Sequence, residues 1–252
     1  MSFDITQLLD QWDYEPGQVS VRKFKAKDGT EKIQLRVDLG LLQMNAAGRP
    51  DGKHPFGHES LLEHYESQLE KHREAHSASE DGFVLQAADC AKLQQECIQY
   101  HHRYICLFQL EDFQGVIEDT DRNLKAFDFV KRFAASSELS WSLQQFRPQL
   151  LLMRTRAKGA LALQGNRYDE VLGLVDASIA ELRAFYNEHI RYDLLEQSGE
   201  IRSLESWRDE IRESRPRSER EKLESALNDA VRREDYEQAA KVRDRLRNLK
   251  PS

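Results

Sequence analysis

The sequence predicts a mostly α-helical protein. We expect an array of helical hairpins, with a small antiparallel β-meander at the N-terminus and a further helical hairpin at the C-terminus. Apolar residues recur at three- and four-residue steps over most of the chain after residue 57, which places them on one face of a helix. The 252 residues include only 12 glycines and 6 prolines, which disfavours an all-β fold. Charged residues make up 32% and apolar residues 39% of the chain, a balance typical of exposed amphipathic helices.

The first 56 residues predict a short helix followed by the β-meander. Apolar side chains share one helical face over residues 5–12, and a Pro-Gly pair then ends the helix. Two runs of alternating apolar and polar residues follow, joined by Asp28-Gly29, and such a dipeptide between such runs is a strong hairpin signal. Residues 41–44 are expected to add a third strand.

The remainder of the chain predicts three further parts. We expect a helical domain over residues 57–192, a linker helix over 193–217 and a terminal hairpin over 218–250. The helices of the helical domain are expected at residues 58–71, 87–110, 113–133, 136–164 and 168–192.

One of these helices carries three cysteines and a histidine pair. An odd number of cysteines at the spacing of Cys90, Cys97 and Cys106 fits neither a disulfide framework nor a zinc knuckle, so we expect core-facing thiols. Adjacent helical residues point about 100° apart, which does not suit a shared metal ion. We therefore expect His101 and His102 at the surface or at the rim of the core.

A local pattern occurs three times along the chain. A helix stops at a short polar turn, and an aromatic residue then opens the next helix, at Phe113, Tyr168 and Tyr236. The first two units resemble tetratricopeptide-type hairpins, with the aromatic residue after the turn and Gly165 in the glycine region. Leu110 replaces that glycine in the first unit, and the two aromatics lie further apart than the tetratricopeptide period of about 34 residues. The resemblance therefore implies a divergent, tetratricopeptide-like helix-turn-helix array.

The terminal segment predicts two short helices joined by the polar turn at residues 233–236. We expect Asp235 to cap the second helix and Tyr236 to pack back on the first. Two helices of this size bury too little apolar surface to be stable alone, so they need a neighbour. Ser218 and Glu221 fit a capping box at the start of the first helix.

This segment resembles the UVR motif, a helical hairpin named after subunits B and C of the bacterial nucleotide-excision-repair nuclease. In that family the hairpin binds protein partners: it joins the two repair subunits, and it recurs in adaptors of the Clp protease and arginine-kinase stress system. The resemblance therefore implies docking to another protein. The matching residues are Leu223, Leu227, Ala230, Val231, Glu234-Asp235-Tyr236-Glu237, Ala239-Ala240 and Val242-Arg243-Asp244.

The partner-binding surface is expected on the apolar seam of this hairpin and on the charges of its second helix. We interpret Tyr236 and Val242 as apolar anchors, and Arg243 and Asp244 as ionic groups that orient the partner. The full set of predicted partner-binding residues is Leu227, Val231, Tyr236, Ala239, Val242, Arg243, Asp244 and Leu246.

A second candidate site is the turn-rich segment at residues 48–57. Glycines and a proline surround Arg49 and Asp51, which favours a binding loop that presents Arg49. The alternative is a plain linker into the next helix. His58 is close by, but Leu62 stands where a zinc-protease helix carries its second histidine, so we expect no metal or catalytic role here.

The leading hypothesis is a non-catalytic protein–protein interaction adaptor without a cofactor, acting in DNA repair or a Clp-type stress response. The sequence contains no Gly-rich phosphate loop and no nucleophile elbow. It also has no apolar run of eighteen residues and no secretion signal at its start, so a cytosolic protein is expected.

Two alternatives stay open. The first is a homodimeric scaffold that self-associates through the hairpin. The second is a nucleic-acid-associated repair accessory, although a net charge of −7 disfavours broad binding of nucleic acid by the whole chain. Its phosphate contacts would come from Arg22, Lys23, Lys25, Arg243, Arg245, Arg247 and Lys250.

Overall fold

A computed structural model describes residues 4–216 and 219–248 of the chain. Within these residues the protein is mostly helical, with one small antiparallel sheet near the N-terminus, so the predicted fold class is confirmed. The elements are α1 (Thr6–Asp10), β1 (Ser20–Lys25), β2 (Glu31–Val37), β3 (Gly40–Asn45), α2 (Leu61–Ala75), α3 (Ala87–Gln109), α4 (Phe113–Phe133), α5 (Ser137–Gln144), α6 (Arg147–Gln164), α7 (Tyr168–Glu188), α8 (Tyr192–Gln197), α9 (Gly199–Ser214), α10 (Glu219–Arg232) and α11 (Tyr236–Asn248).

The sheet has the strand order β1-β2-β3, and both pairs are antiparallel. Gly29 has a φ of 86°, a left-handed conformation that glycine adopts without strain, and this allows the predicted turn between β1 and β2. Ile33 and Met44 lie opposite each other on β2 and β3, and both are buried. Strand β2 contacts α3, and this contact supplies the support that a small sheet needs in water.

Helices α3, α4, α6 and α7 pack on one another in sequence: α3 on α4, α4 on α6, and α6 on α7. Their apolar stripes form the core, where Leu93, Val116, Leu151 and Leu182 are fully buried. The three cysteines of α3 are free and buried, as predicted.

Two of the predicted helices are shorter than expected. The segment 136–164 contains two helices, because α5 ends at Gln144 and α6 begins at Arg147. Pro148 lies in the first turn of α6, where its missing N–H costs no hydrogen bond, so this proline starts a helix rather than kinking one. The predicted helix 168–192 ends at Glu188.

Four helix joints share one backbone geometry. In each, a residue in the left-handed region is followed by a residue whose N–H donates to the carbonyl five positions earlier, which closes a Schellman-type C-cap. An aromatic residue then begins the next helix. The left-handed residues are Glu111, Asn166, Ile190 and Glu234, and the aromatics are Phe113, Tyr168, Tyr192 and Tyr236.

The sequence pattern predicts three of these joints and misses the one at Ile190. Helix α8, which follows that joint, has only six residues, and this length is too short to show a helical period. The φ of Ile190 is 54°, although β-branched residues rarely adopt the left-handed region.

The chain forms two compact units, residues 1–205 and residues 206–252. The N-terminal sheet and helices α2 to α8 fall in the first unit, and α10 and α11 fall in the second. The predicted division into four parts stays a prediction. In the part of the chain that the structure describes, no helix combines the length and apolar character needed to cross a membrane.

Candidate partner-binding hairpin

Helices α10 and α11 pack against each other as the predicted hairpin. Three of its apolar residues, Ala230, Ala239 and Val242, are buried, with exposed fractions of 6%, 8% and 5%. Two of the three are alanines, and side chains of this size allow helix axes to approach closely.

The turn between the two helices is fixed by hydrogen bonds. Glu234 has a φ of 58°, and the Asp235 N–H donates to the Ala230 carbonyl at 2.9 Å, which closes the C-terminus of α10. The Asp235 carboxylate accepts from the Gln238 N–H at 3.0 Å, so the prediction that Asp235 caps α11 is confirmed.

Apolar surface remains on the hairpin after its helices have paired. Val231 is 52% exposed and Tyr236 is 71% exposed, while Leu227 and Leu246 are half-buried. The prediction that Tyr236 packs back on the first helix was wrong. Phe113, the first residue of α4, packs on Phe108 five positions earlier in the preceding helix. The residue five positions before Tyr236 is Val231, which is smaller than phenylalanine and is itself exposed.

The charges of α11 are mostly basic. Four basic residues stand against two acidic ones over residues 236–248. The Lys241 ammonium pairs with the Glu237 carboxylate at 2.8 Å. The side chains of Arg243 and Asp244 are about as exposed as each other, at 60% and 62%, and their charged atoms lie 3.8 Å apart. Such an exposed pair is worth little by itself and is free to exchange its partner for another protein's charge.

The structure divides the predicted partner-binding residues into exposed and buried members. Val231, Tyr236, Arg243 and Asp244 are exposed, and Leu227 and Leu246 are half-buried. Ala239 and Val242 are buried. Ser218 and Lys250, named in the sequence analysis, lie outside the described residues.

The second candidate site, at residues 48–57, is tied to the helices. The Arg49 guanidinium forms ion pairs with Glu96 at 2.9 Å and with Asp51 at 3.3 Å, and its side chain is only 10% exposed. The Gln99 amide donates to Asp51 at 3.3 Å. Arg49 therefore turns toward α3 rather than standing on a free loop.

Glu96 is the centre of this buried charge cluster. Its side chain is fully buried, and it also pairs with Arg122 and accepts from the Leu61 backbone N–H at 2.7 Å. Burial, with the Arg49 charge nearby, lowers the pKa of the Arg122 guanidinium from its usual range. The cluster thus connects the 48–57 segment and the helices α2, α3 and α4.

A second buried pair fixes the end of the sheet. Arg103 donates to both oxygens of Asp119, at 2.8 and 2.6 Å, and also to the carbonyls of Gly48 at 2.6 Å and Asn45 at 3.2 Å. Burial raises the pKa of Asp119 more than its hydrogen bonds to Arg103 lower it.

Sequence reasoning missed both buried charge groups, to which Glu96, Arg103, Asp119 and Arg122 belong. A signal was present, because Glu96 and Arg103 lie seven residues apart on the same stripe of α3 as its buried apolar residues. The residues that complete the two groups are distant in sequence, so a single sequence cannot identify them.

The histidines form no recognised metal site. In the described ranges, 4–216 and 219–248, no three His, Cys, Asp or Glu side chains converge in an arrangement suited to a metal ion. His101 and His102 are half-buried, as expected for the rim of the core, with ring centroids 5.6 Å apart.

One comparison with known proteins identifies the hairpin. No curated protein and no solved structure matches the chain. The model of the UvrB/uvrC motif, called UVR, matches residues 217–250, a range that contains α10 and α11. The chain therefore carries a UVR motif at its C-terminus.

Proposed function

We propose that this protein is a non-catalytic adaptor that docks another protein through α10 and α11. The observation that carries the proposal is the apolar surface left exposed on a UVR hairpin whose helices are already paired. Tyr236 and Val231 belong to that surface, and both are more than half exposed.

The exposed residues have the composition of a binding hot spot. Tyrosine and arginine are enriched among residues that dominate binding energy, and Tyr236 and Arg243 are both exposed. Val242, predicted as an anchor, is buried and supports the hairpin instead. Val231 takes its place as the second apolar anchor in the proposal.

The charge of α11 favours a partner with an acidic surface. Its excess of basic residues would steer such a partner and set its orientation. The UVR motif suggests a subunit of a repair nuclease or a component of a Clp-type stress system, and the protein would then act in the cytosol.

The test is affinity purification with variants of the hairpin. Tyr236→Ala combined with Arg243→Glu should abolish capture of the partner, because the first change removes the apolar anchor and the second reverses an orienting charge. The matched control is Leu39→Ala with Arg167→Glu, which alters an apolar residue and an arginine that are both exposed outside the hairpin. Equal capture by wild type and the hairpin variant would refute the proposal.

The contacts of strand β1 give little support to the nucleic-acid alternative, because two of its basic side chains already have partners within the protein. Arg22 stacks on Trp12 at 4.1 Å and donates to Gln34 at 2.7 Å, and Lys23 pairs with Glu31 at 3.0 Å. Binding of nucleic acid that weakens steeply with added salt would favour this alternative over protein docking.

Light scattering of the chain with and without residues 215–252 tests the homodimer alternative.

A further inference from the structure

A partly enclosed pocket lies in the helix array of the first unit. Its volume is about 250 Å³, and α3, α4, α6 and the end of α5 contribute its walls. The walls are mostly apolar, and each of the main wall residues is buried: Cys97, Tyr104, Phe127, Leu143 and Leu150.

The mouth of the pocket is also apolar. Ile98 and Phe146 line it, and each is 47% exposed. Two large, half-exposed apolar side chains beside an apolar pocket mark a favourable site for a ligand that would cover them.

The polar groups of the lining are uncharged, and two of them are already engaged by the protein. The Gln94 amide donates to the Ser142 carbonyl at 3.3 Å, and the Asn123 amide donates to the Cys97 carbonyl at 2.9 Å. Among the described residues, no Asp, Glu, Lys or Arg side chain lines the pocket. A charged ligand would therefore lose its hydration without gaining an opposite charge.

His101 offers a further hydrogen bond to a ligand in the pocket. The Tyr104 hydroxyl is buried, and in the described part of the chain its hydrogen-bond partner is His101 Nδ1 at 2.6 Å. A buried hydroxyl proton needs an acceptor, so the tyrosine donates to Nδ1 and the neutral ring carries its own proton on Nε2. Burial and the neighbouring His102 lower the pKa of His101, which keeps the ring neutral. His101 is thus a neutral hydrogen-bond donor in a lining without charged side chains.

The volume sets the size of the ligand. An apolar cavity of about 150 Å³ accommodates benzene, and sites for drug-sized ligands begin at about 300 Å³. A pocket between these limits suits a molecule of one or two rings.

We propose that this pocket binds a small neutral cyclic molecule that carries a hydrogen-bond acceptor, which takes the Nε2 proton of His101. The apolar rings of the ligand lie against Phe127, Leu143 and Leu150, and its edge covers Ile98 and Phe146. The proposal is independent of partner docking by the hairpin.

The test measures binding of two bicyclic probes to the full-length chain at pH 7.5 by NMR titration. Quinoline has a ring nitrogen that accepts a hydrogen bond, and indole has an N–H that only donates one. We expect saturable binding of quinoline with a Kd below about 1 mM, with shifts at the Ile98 and Leu150 methyls, and weaker binding of indole. Absence of saturable quinoline binding, or equal affinity for both probes, would overturn the proposal.

Two variants locate the site. His101→Asn keeps an acceptor near the position of Nδ1 for Tyr104 but removes Nε2, so quinoline binding should weaken roughly tenfold while indole binding stays unchanged. Ile98→Trp fills the mouth and should abolish binding of both probes, whereas Val84→Trp, at a position of similar exposure (46%) outside the pocket, should not. Unchanged quinoline affinity in Ile98→Trp would contradict this assignment.

Discussion

At the scale of single residues, the interior of this protein depends on a few buried charges. Glu96 has no exposed side-chain surface and neutralises two guanidinium groups, those of Arg49 and Arg122. A buried charge that loses its partner costs much more than an exposed pair contributes. The stability of the first unit should therefore respond strongly to one carboxylate.

Glu96→Gln should lower the free energy of unfolding by about 3–5 kcal/mol, because it leaves Arg49 and Arg122 without their buried counter-charge. Urea denaturation followed by circular dichroism measures this change. The control is Glu188→Gln, which breaks a solvent-exposed pair with Lys131 and should cost less than about 1 kcal/mol. Equal losses of unfolding free energy in the two variants would show that the Glu96 cluster contributes no more to stability than an exposed ion pair.

The histidine pair predicts a pH dependence of stability. Burial lowers the pKa of His101 and of His102 below the ordinary value of 6.5. The unfolded chain then binds more protons than the folded chain near that pH. The contribution of both histidines is fully present above pH 6.5 and is lost as the pH falls through their folded-state pKa values.

Thermal unfolding of the wild type should therefore occur at lower temperature as the pH falls from about 7.5 to about 5.5. The double variant His101→Asn with His102→Gln should show a flatter dependence over the same range. An identical dependence in both proteins would argue against a role for these histidines.

At the scale of elements, the chain repeats one solution for joining helices. The four joints at Glu111, Asn166, Ile190 and Glu234 share the left-handed residue and the aromatic start of the next helix, but their side-chain caps differ. Asp112 and Asp235 accept from backbone N–H groups, whereas Arg167 and Arg191 provide no side-chain cap. The joint of the terminal hairpin therefore has the same backbone geometry as the three joints of the first unit.

Ile190→Gly should stabilise the first unit by about 0.5–1 kcal/mol. Glycine removes the strain of a β-branched residue at positive φ, and little buried surface is lost, because Ile190 is 73% exposed. Differential scanning calorimetry measures the change. Ile190→Ala, which retains a Cβ, should gain less, and a loss of stability in Ile190→Gly would contradict the assignment of strain.

Much of this element order is predictable from the sequence. The Asp28-Gly29 turn, the apolar stripes and the aromatic joints determine the meander and most helix positions. The break after Glu188 was not predictable, because the helix that follows it, α8, has only six residues, too few to show a helical period.

At the scale of the whole molecule, the candidate sites were predictable to different degrees. The terminal hairpin was predictable, because its residues are contiguous in sequence and match the UVR motif. The exposure of Tyr236 was not, because the same aromatic-first pattern at Phe113 accompanies packing on Phe108 of the preceding helix. The environment of Arg49 and the pocket at His101 depend on residues distant in sequence, which only the folded chain brings together.

The hairpin and the pocket give the protein two surfaces with separate chemistry. The hairpin has exposed apolar and basic residues suited to another polypeptide, and the pocket has a neutral lining suited to a small molecule. The two surfaces should be separable, so Tyr236→Ala should leave quinoline binding unchanged.

The most direct test of the docking claim is photo-crosslinking from position 236 in living cells. A benzophenone amino acid replaces Tyr236 in one variant and Leu39, which is 94% exposed outside the hairpin, in the control. Docking through the hairpin predicts a covalent adduct with a different polypeptide from position 236 and not from position 39. Adducts only with a second copy of this chain, or no adduct at position 236, would contradict it.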